Sequence, residues 1–141
     1  MSSIKKTSSI IISAIIVTGI ALGIANQLKS DENDILSQIE FDAVYIENDN
    51  IVQITFEDKS SDTEFVVLEI LGMDVTYHKE YVLDDKSGFI ENMYLEKPPK
   101  YGWKTIPVVL DIQHSKFGNI GLKTEIHEID QPIPTIIIEQ K

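Results

Sequence analysis

A chain of 141 residues with a hydrophobic fraction of 43% suits one domain with one core, and the apolar residues lean toward isoleucine and valine, whose branched side chains favour strands. The formal charge is −11, and because the first 29 residues hold three lysines and no acid, the remainder carries −14. No arginine and no cysteine occurs, so the chain excludes nucleic acid as a partner and excludes disulfides, thiolate nucleophiles and cysteine-ligated metals.

The first element is an uncharged run from Thr7 to Leu28, flanked by Lys6 and Lys29. Its length matches the roughly 20 residues a helix needs to cross a bilayer core, which predicts a single transmembrane helix centred on residues 10–25. Lys5 and Lys6 precede it and Asp31, Glu32 and Asp34 follow, so the positive-inside tendency puts the N-terminus in the cytoplasm and the body outside. A cleaved signal segment is the alternative, with Gly23-Ile24-Ala25 before Asn26 as the small-residue site. Gly19 and Gly23 form a G-x-x-x-G pair through which two such helices could pack. The same layout of basic tip, hydrophobic helix and β-rich body also fits a pilin-like filament subunit, although Lys6-Thr7-Ser8 lacks the usual small residue at the cleavage point.

The predicted organisation is an anchor or signal segment over 1–29, a polar linker over 30–39 that extends the helix for a turn or two, and an extracytoplasmic domain over 40–141. In that domain, period-two alternation predicts about eight strands. Val52, Ile54 and Phe56 share one face of the second; Val66, Leu68 and Ile70 share one face of the third. Val75, Tyr77, Tyr81 and Leu83 follow with Lys79 as an exception, then Ile106, Val108, Leu110 and Ile112, and then Ile120, Leu122 and Ile126. Phe41–Ile46, Phe89–Leu95 and Ile133–Ile138 complete the set, the last as either a central or an edge strand. Turn chemistry lies between them at 47–50, 58–62, 84–88, 97–100 and 115–119. The fold class predicted is all-β, an antiparallel sandwich of seven or eight strands behind one N-terminal helix.

From Asp85 to His114 the chain carries Asp-Lys-Ser-Gly-Phe, then Leu95, Pro98-Pro99 and Gly102-Trp103. This run resembles the hairpin segments of immunoglobulin- or fibronectin-like surface domains. Without the Cys…Trp…Cys framework, the resemblance implies architecture alone.

Candidate chemistry is sparse. His78, Glu80 and His127 are the candidate metal ligands, with His78 and His127 expected to point outward beside Glu80 and Glu125 and His114 expected to end an inward row. The carboxylates Asp58, Asp62, Glu64, Asp84 and Asp85 lack calcium-loop spacing, and no nucleophile or phosphate-loop motif occurs. Tyr94, Tyr101 and Trp103 cluster around one hairpin as a candidate recognition surface. The expectation is therefore a non-enzymatic module without cofactor or small-molecule substrate. It would act at the membrane through contact with other envelope proteins or with its own copies, a metal-binding envelope domain being the further alternative.

Overall fold

The computed structural model describes residues 32–141. The hydrophobic segment, the Gly19/Gly23 pair and the membrane orientation read from the sequence lie outside the described residues. Among the described residues, no helix is long and apolar enough to cross a membrane.

The described chain opens with a short helix, α1 (Glu32–Gln38), whose first turn carries Glu32 and Asp34, the charge sign that a helix N-terminus favours. Its Ile35 is fully buried, so part of the stretch read as a polar linker contributes to the core. Gln38 passes directly into β1 (Ile39–Ile46), which pairs antiparallel with β2 (Ile51–Asp58). One 3₁₀ turn joins them and closes on Asn50 at φ 53°, a left-handed conformation that asparagine tolerates better than most residues.

The chain then alternates between two sheets. β3 (Thr63–Ile70) and β4 (Tyr77–Val82) form a hairpin in the second sheet, and β5 (Gly88–Tyr94) returns to pair with β2 in the first. β6 (Pro107–His114) and β7 (Gly118–Glu125) form a hairpin beside β3. A two-residue strand, β8 (His127–Glu128), lies parallel to β1, and β9 (Ile137–Gln140) lies antiparallel to β7. The orders are β5-β2-β1-β8 and β4-β3-β6-β7-β9. The domain is thus all-β, two sheets in a sandwich-like arrangement, with antiparallel pairing everywhere except at β8.

Alternation decides which side chains form the core. Val52, Ile54 and Phe56, Val66, Leu68 and Ile70, Val108, Leu110 and Ile112, and Ile120 and Leu122 are all buried as their periodicity predicted. Each such side chain contributes about 1.5–3 kcal/mol by leaving water.

Three expectations, for Val75, Ile133–Ile138 and His127, are corrected. Val75 precedes β4 and is 79% exposed, because pairing with β3 begins only at Tyr77. Lys79 keeps the phase read from the spacing, in one row with Tyr77 and Tyr81 set against Leu68, Ile70 and Val66, with its side chain about half exposed. The stretch Ile133–Ile138 does not ladder as a whole, since Pro132 and Pro134 have no N–H to donate, and only Ile137–Gln140 pairs, as an edge. His127 is buried, against Asp42 and not beside Glu125.

On the edge strand β4 the half-exposed Lys79 meets Glu91, which reaches it from the edge of the opposite sheet. Its Oε2 accepts from Lys79 Nζ at 2.7 Å and from the Tyr81 hydroxyl, and its Oε1 accepts from the Tyr77 hydroxyl at 2.6 Å. The Tyr81 and Phe89 rings stack beside the cluster with centroids 3.7 Å apart. Burial would push the Glu91 carboxyl up, but the three donors outweigh it and hold the group below its ordinary value. Burial and that carboxylate together push the Tyr77 hydroxyl up to about 12 and raise Tyr81 as well.

This cluster closes one side of the sandwich and sets a charge on each of the two edge strands, a device that discourages further strand pairing. We expect Glu91→Ala to cost about 2 kcal/mol, because hydrogen bonds to a charged group are lost and two hydroxyls lose their acceptor. Denaturant titration checks it. A raised folded pKa means that the unfolded tyrosines ionise first. The wild type should therefore keep its full stability below pH ~10 and lose part of it as pH rises from about 10 toward 12, and Glu91→Ala should flatten that slope.

Candidate functional site

The strand directions give the domain two poles. α1 enters at the pole that also holds the β2–β3 turn, where Gln38 accepts a backbone hydrogen bond from Lys59. The opposite pole holds the β1–β2, β3–β4 and β5–β6 connections and the segment from β8 to β9. Val75, Tyr94, Tyr101, Ile129 and Ile133, five of the large apolar side chains that remain exposed, all belong to this second pole.

Its centre is the β5–β6 connection. Pro98 and Pro99 preclude a regular strand, and the chain turns at Gly102 (φ 94°) into a 3₁₀ turn over Trp103–Thr105. Thr105 Oγ1 donates to the Gly102 carbonyl at 2.7 Å and closes that turn. Beneath it, Gly72 (φ 83°) approaches so closely that a Cβ there would sit 1.8 Å from the Thr105 carbonyl oxygen. Trp103 packs its ring 5.0 Å from the buried Tyr45, whose hydroxyl donates to the Leu95 carbonyl at 3.3 Å.

Trp103 and the 81%-exposed Tyr101 form one wall of a cleft of about 580 Å³. Pro132, Ile133, Pro134 and Thr135 form the other wall, with Ile126 and His127 between. The His127 ring is held at both nitrogens: Nε2 lies 2.7 Å from Asp42 Oδ1 and Nδ1 lies 2.8 Å from the Glu128 carbonyl oxygen.

Two of the three aromatics singled out in the sequence therefore share this cleft. Tyr94 ends β5 opposite Ile51 and lies outside the lining. The second wall was not anticipated, although the Pro132-Ile133-Pro134 spacing is a legible signal that the segment stands off the ladder.

The metal candidates do not converge. His78 is on β4 in the second sheet and His127 on β8 in the first, and both nitrogens of His127 are occupied as described. His78 has Glu80 3.3 Å from Nε2 and Glu69 3.9 Å from Nδ1, so the carboxylates flank opposite sides of the ring and cannot meet on one ion. Among the described residues, no group of three or more ligands is placed to hold a metal.

At the other pole, Asp58 is fully buried and collects a dense set of donors. Oδ1 accepts from the Ser60 amide at 2.9 Å and the Ser60 hydroxyl at 2.5 Å; Oδ2 accepts from the Asp62 amide at 3.1 Å and the Thr63 hydroxyl at 2.7 Å. His114 Nε2 is 3.0 Å from the same Oδ2, off the line of a hydrogen bond, while its Nδ1 accepts from the Lys116 and Phe117 amides. Serine, aspartate and histidine thus meet, but the carboxylate stands between the hydroxyl and the imidazole. The serine hydroxyl donates its hydrogen bond to Asp58, and His114 is not placed to act as its base.

Burial holds His114 below its ordinary value despite the nearby Asp58 and Asp62 carboxylates. Burial would raise Asp58, yet the Ser60 and Thr63 donors keep its carboxyl below the usual range. The arrangement fastens the crossover between the sheets. No protein-family model, curated protein or solved structure matches the chain.

Proposed function

We propose that the chain is a membrane-tethered binding module of the cell envelope that acts outside the cytoplasm through protein–protein contact. The observation that carries this reading is a polarity: the chain enters the domain at one pole, while exposed aromatic and apolar side chains gather at the other. A tether at the first pole would present the second to a partner. The uncharged run from Thr7 to Leu28 supports the tether, and the position of the buried Asp58 between Ser60 and His114 favours binding over catalysis.

We further read the sandwich as immunoglobulin- or fibronectin-like. Support comes from the distribution of strands: the first, second and fifth share one sheet, and the third, sixth and seventh share the other. The fourth joins the third, which differs from the constant-type arrangement, where it joins the fifth.

The test is fractionation combined with protease accessibility. Full-length protein should pellet with membranes, and protease added to intact cells should remove the domain. Recovery in the cytosolic fraction would overturn the reading, as would membrane-bound protein that resists external protease until cells are lysed.

A further inference from the structure

The three histidines hold their ring protons on different terms. His78 is half-exposed between Glu69 and Glu80, where water can meet either nitrogen. His114 accepts at Nδ1 from the Lys116 amide at 3.0 Å and the Phe117 amide at 3.1 Å, and a ring nitrogen that accepts carries no proton of its own. His127 is the opposite case. Its side chain is 7% exposed and each nitrogen faces an acceptor: Nε2 the Asp42 carboxylate at 2.7 Å, Nδ1 the Glu128 carbonyl oxygen at 2.8 Å. A carboxylate and a carbonyl have no hydrogen to give, so both contacts are hydrogen bonds only when the ring carries two protons, as the imidazolium.

The Glu128 carbonyl has a second donor. It accepts from the Gln131 amide at 3.1 Å and so closes the turn that leads from β8 into the Pro132–Thr135 wall. β8 itself is two residues long and meets β1 at two register positions, Val44↔His127 and Tyr45↔Glu128. Beyond the turn, Pro132 and Pro134 have no amide with which to tie the wall down. The His127 ring therefore joins Asp42 on β1, the short strand and the turn from which the wall departs.

We propose that His127 is a proton-controlled clasp: doubly protonated, it locks β8 and the turn from Glu128 to Gln131 onto β1, and loss of one proton releases the turn and the wall it carries. A neutral ring keeps the stronger of its two bonds, the charge-assisted one from Nε2 to Asp42. The Nδ1 lone pair then confronts the Glu128 carbonyl oxygen with no hydrogen between them. Rotation of that peptide relieves the repulsion and takes the acceptor away from Gln131. The titratable groups of the elements packed around the ring are Asp42 of β1, Glu125 at the end of β7, Glu128 and Asp130 in and after β8, and Tyr101 and Lys104 of the opposite wall. The clasp opens as pH rises, whereas the burial of His114 weakens the fold as a whole when pH falls, so the two effects separate by sign.

The experiment uses isotope-labelled full-length protein in neutral detergent between about pH 5 and 8, the interval in which histidine changes charge. Ring nitrogen chemical shifts report the protonation of each histidine, and His127→Gln identifies the His127 signals by their loss. Amide exchange at Gln131, corrected for the intrinsic effect of pH on exchange, reports the turn. At the acid end the His127 ring should carry both protons. Over the interval in which it loses one, protection of the Gln131 amide should fall roughly two- to tenfold, the worth of one hydrogen bond. In His127→Gln that pH dependence should vanish. Asp42→Asn keeps an acceptor without the charge, at a side chain 36% exposed that the fold tolerates changing; ring and turn transitions should move together to lower pH.

A His127 ring that is neutral at about pH 5, or still cationic at about pH 8, would overturn the proposal. So would a ring that titrates without change at Gln131, a loss of protection that survives His127→Gln, or transitions that stay in place in Asp42→Asn. If His127→Gln does not fold, the Asp42→Asn comparison decides. The clasp does not depend on the tether, and membrane fractionation fails or succeeds independently of these readouts.

Discussion

Asp58→Ala is expected to lower the stability of the domain by about 2–4 kcal/mol, because a buried donor left without its acceptor costs about 1–3 kcal/mol. The substitution takes away the acceptor for two backbone amides and two hydroxyls and removes the carboxylate beside His114. Thr63 and the His114 side chain are buried and have little access to water as a substitute, whereas the exposed Ser60 can turn to solvent. Asp58→Asn is the control: it keeps the shape and an acceptor oxygen, so it should cost distinctly less. Equilibrium denaturation of the three proteins at one pH measures the difference, and equal stability of Asp58→Ala and wild type would contradict the hub.

The same pair makes stability depend on pH in a fixed direction. His114 has a folded pKa below its ordinary value of about 6.5, so as pH falls the unfolded chain takes up a proton before the folded one does. The folded state therefore loses stability from about pH 6.5 downward. Asp58, also depressed, contributes stability that is complete above its ordinary pKa of about 4 and is lost below it. Two successive declines should appear in denaturation midpoints on acidification. His114→Gln should abolish the upper one while leaving the lower, and an unchanged upper decline in that variant would show that another group causes it.

Gly72→Ala is expected to destabilise by about 3 kcal/mol and to displace the turn that carries Trp103. Two costs of order 1–3 kcal/mol each combine, a side chain in a positive-φ conformation and overlap with a neighbour that cannot move away. The neighbour is backbone: the new Cβ would meet the Thr105 carbonyl, at the end of the turn that carries Trp103. Relief requires that turn to shift, and Trp103 shifts with it. Gly102→Ala is the comparison, since nothing lies within 4 Å of a Cβ built there and only the φ of 94° opposes it. Thermal unfolding, with Trp103 emission as the local probe, should rank Gly72→Ala below Gly102→Ala; the reverse order would refute the close approach.

Legibility in the sequence followed the physics of alternation. The inner rows of β2, β3, β6 and β7 could be read from spacing, because a two-residue period sends every second side chain to one face wherever a sheet has one dry side. Lys79 showed the limit. The period was right, but a lysine in an apolar row looks like an error until Glu91, twelve residues away and on the opposite sheet, is seen to meet it. His127 failed for a similar reason. Its phase relative to Glu125 says nothing of Asp42, which comes 85 residues earlier and binds it only because β8 lies against β1. Tyr101 and Trp103 were legible as a pair of aromatics beside a Pro-Pro turn, whereas their facing wall was not, since Pro132–Thr135 is brought opposite by the path of the chain between β8 and β9.

Composition and periodicity by themselves determined the all-β class, the core rows, the acidic charge and the turns, because each rests on neighbours a few residues apart or on plain counting. Tertiary structure alone decided which charged groups close the sandwich edge, which histidine is sealed beside an aspartate, and where the exposed aromatics find a second wall. Those outcomes depend on strand order and register, which bring together residues separated by tens of positions through contacts that no local pattern encodes.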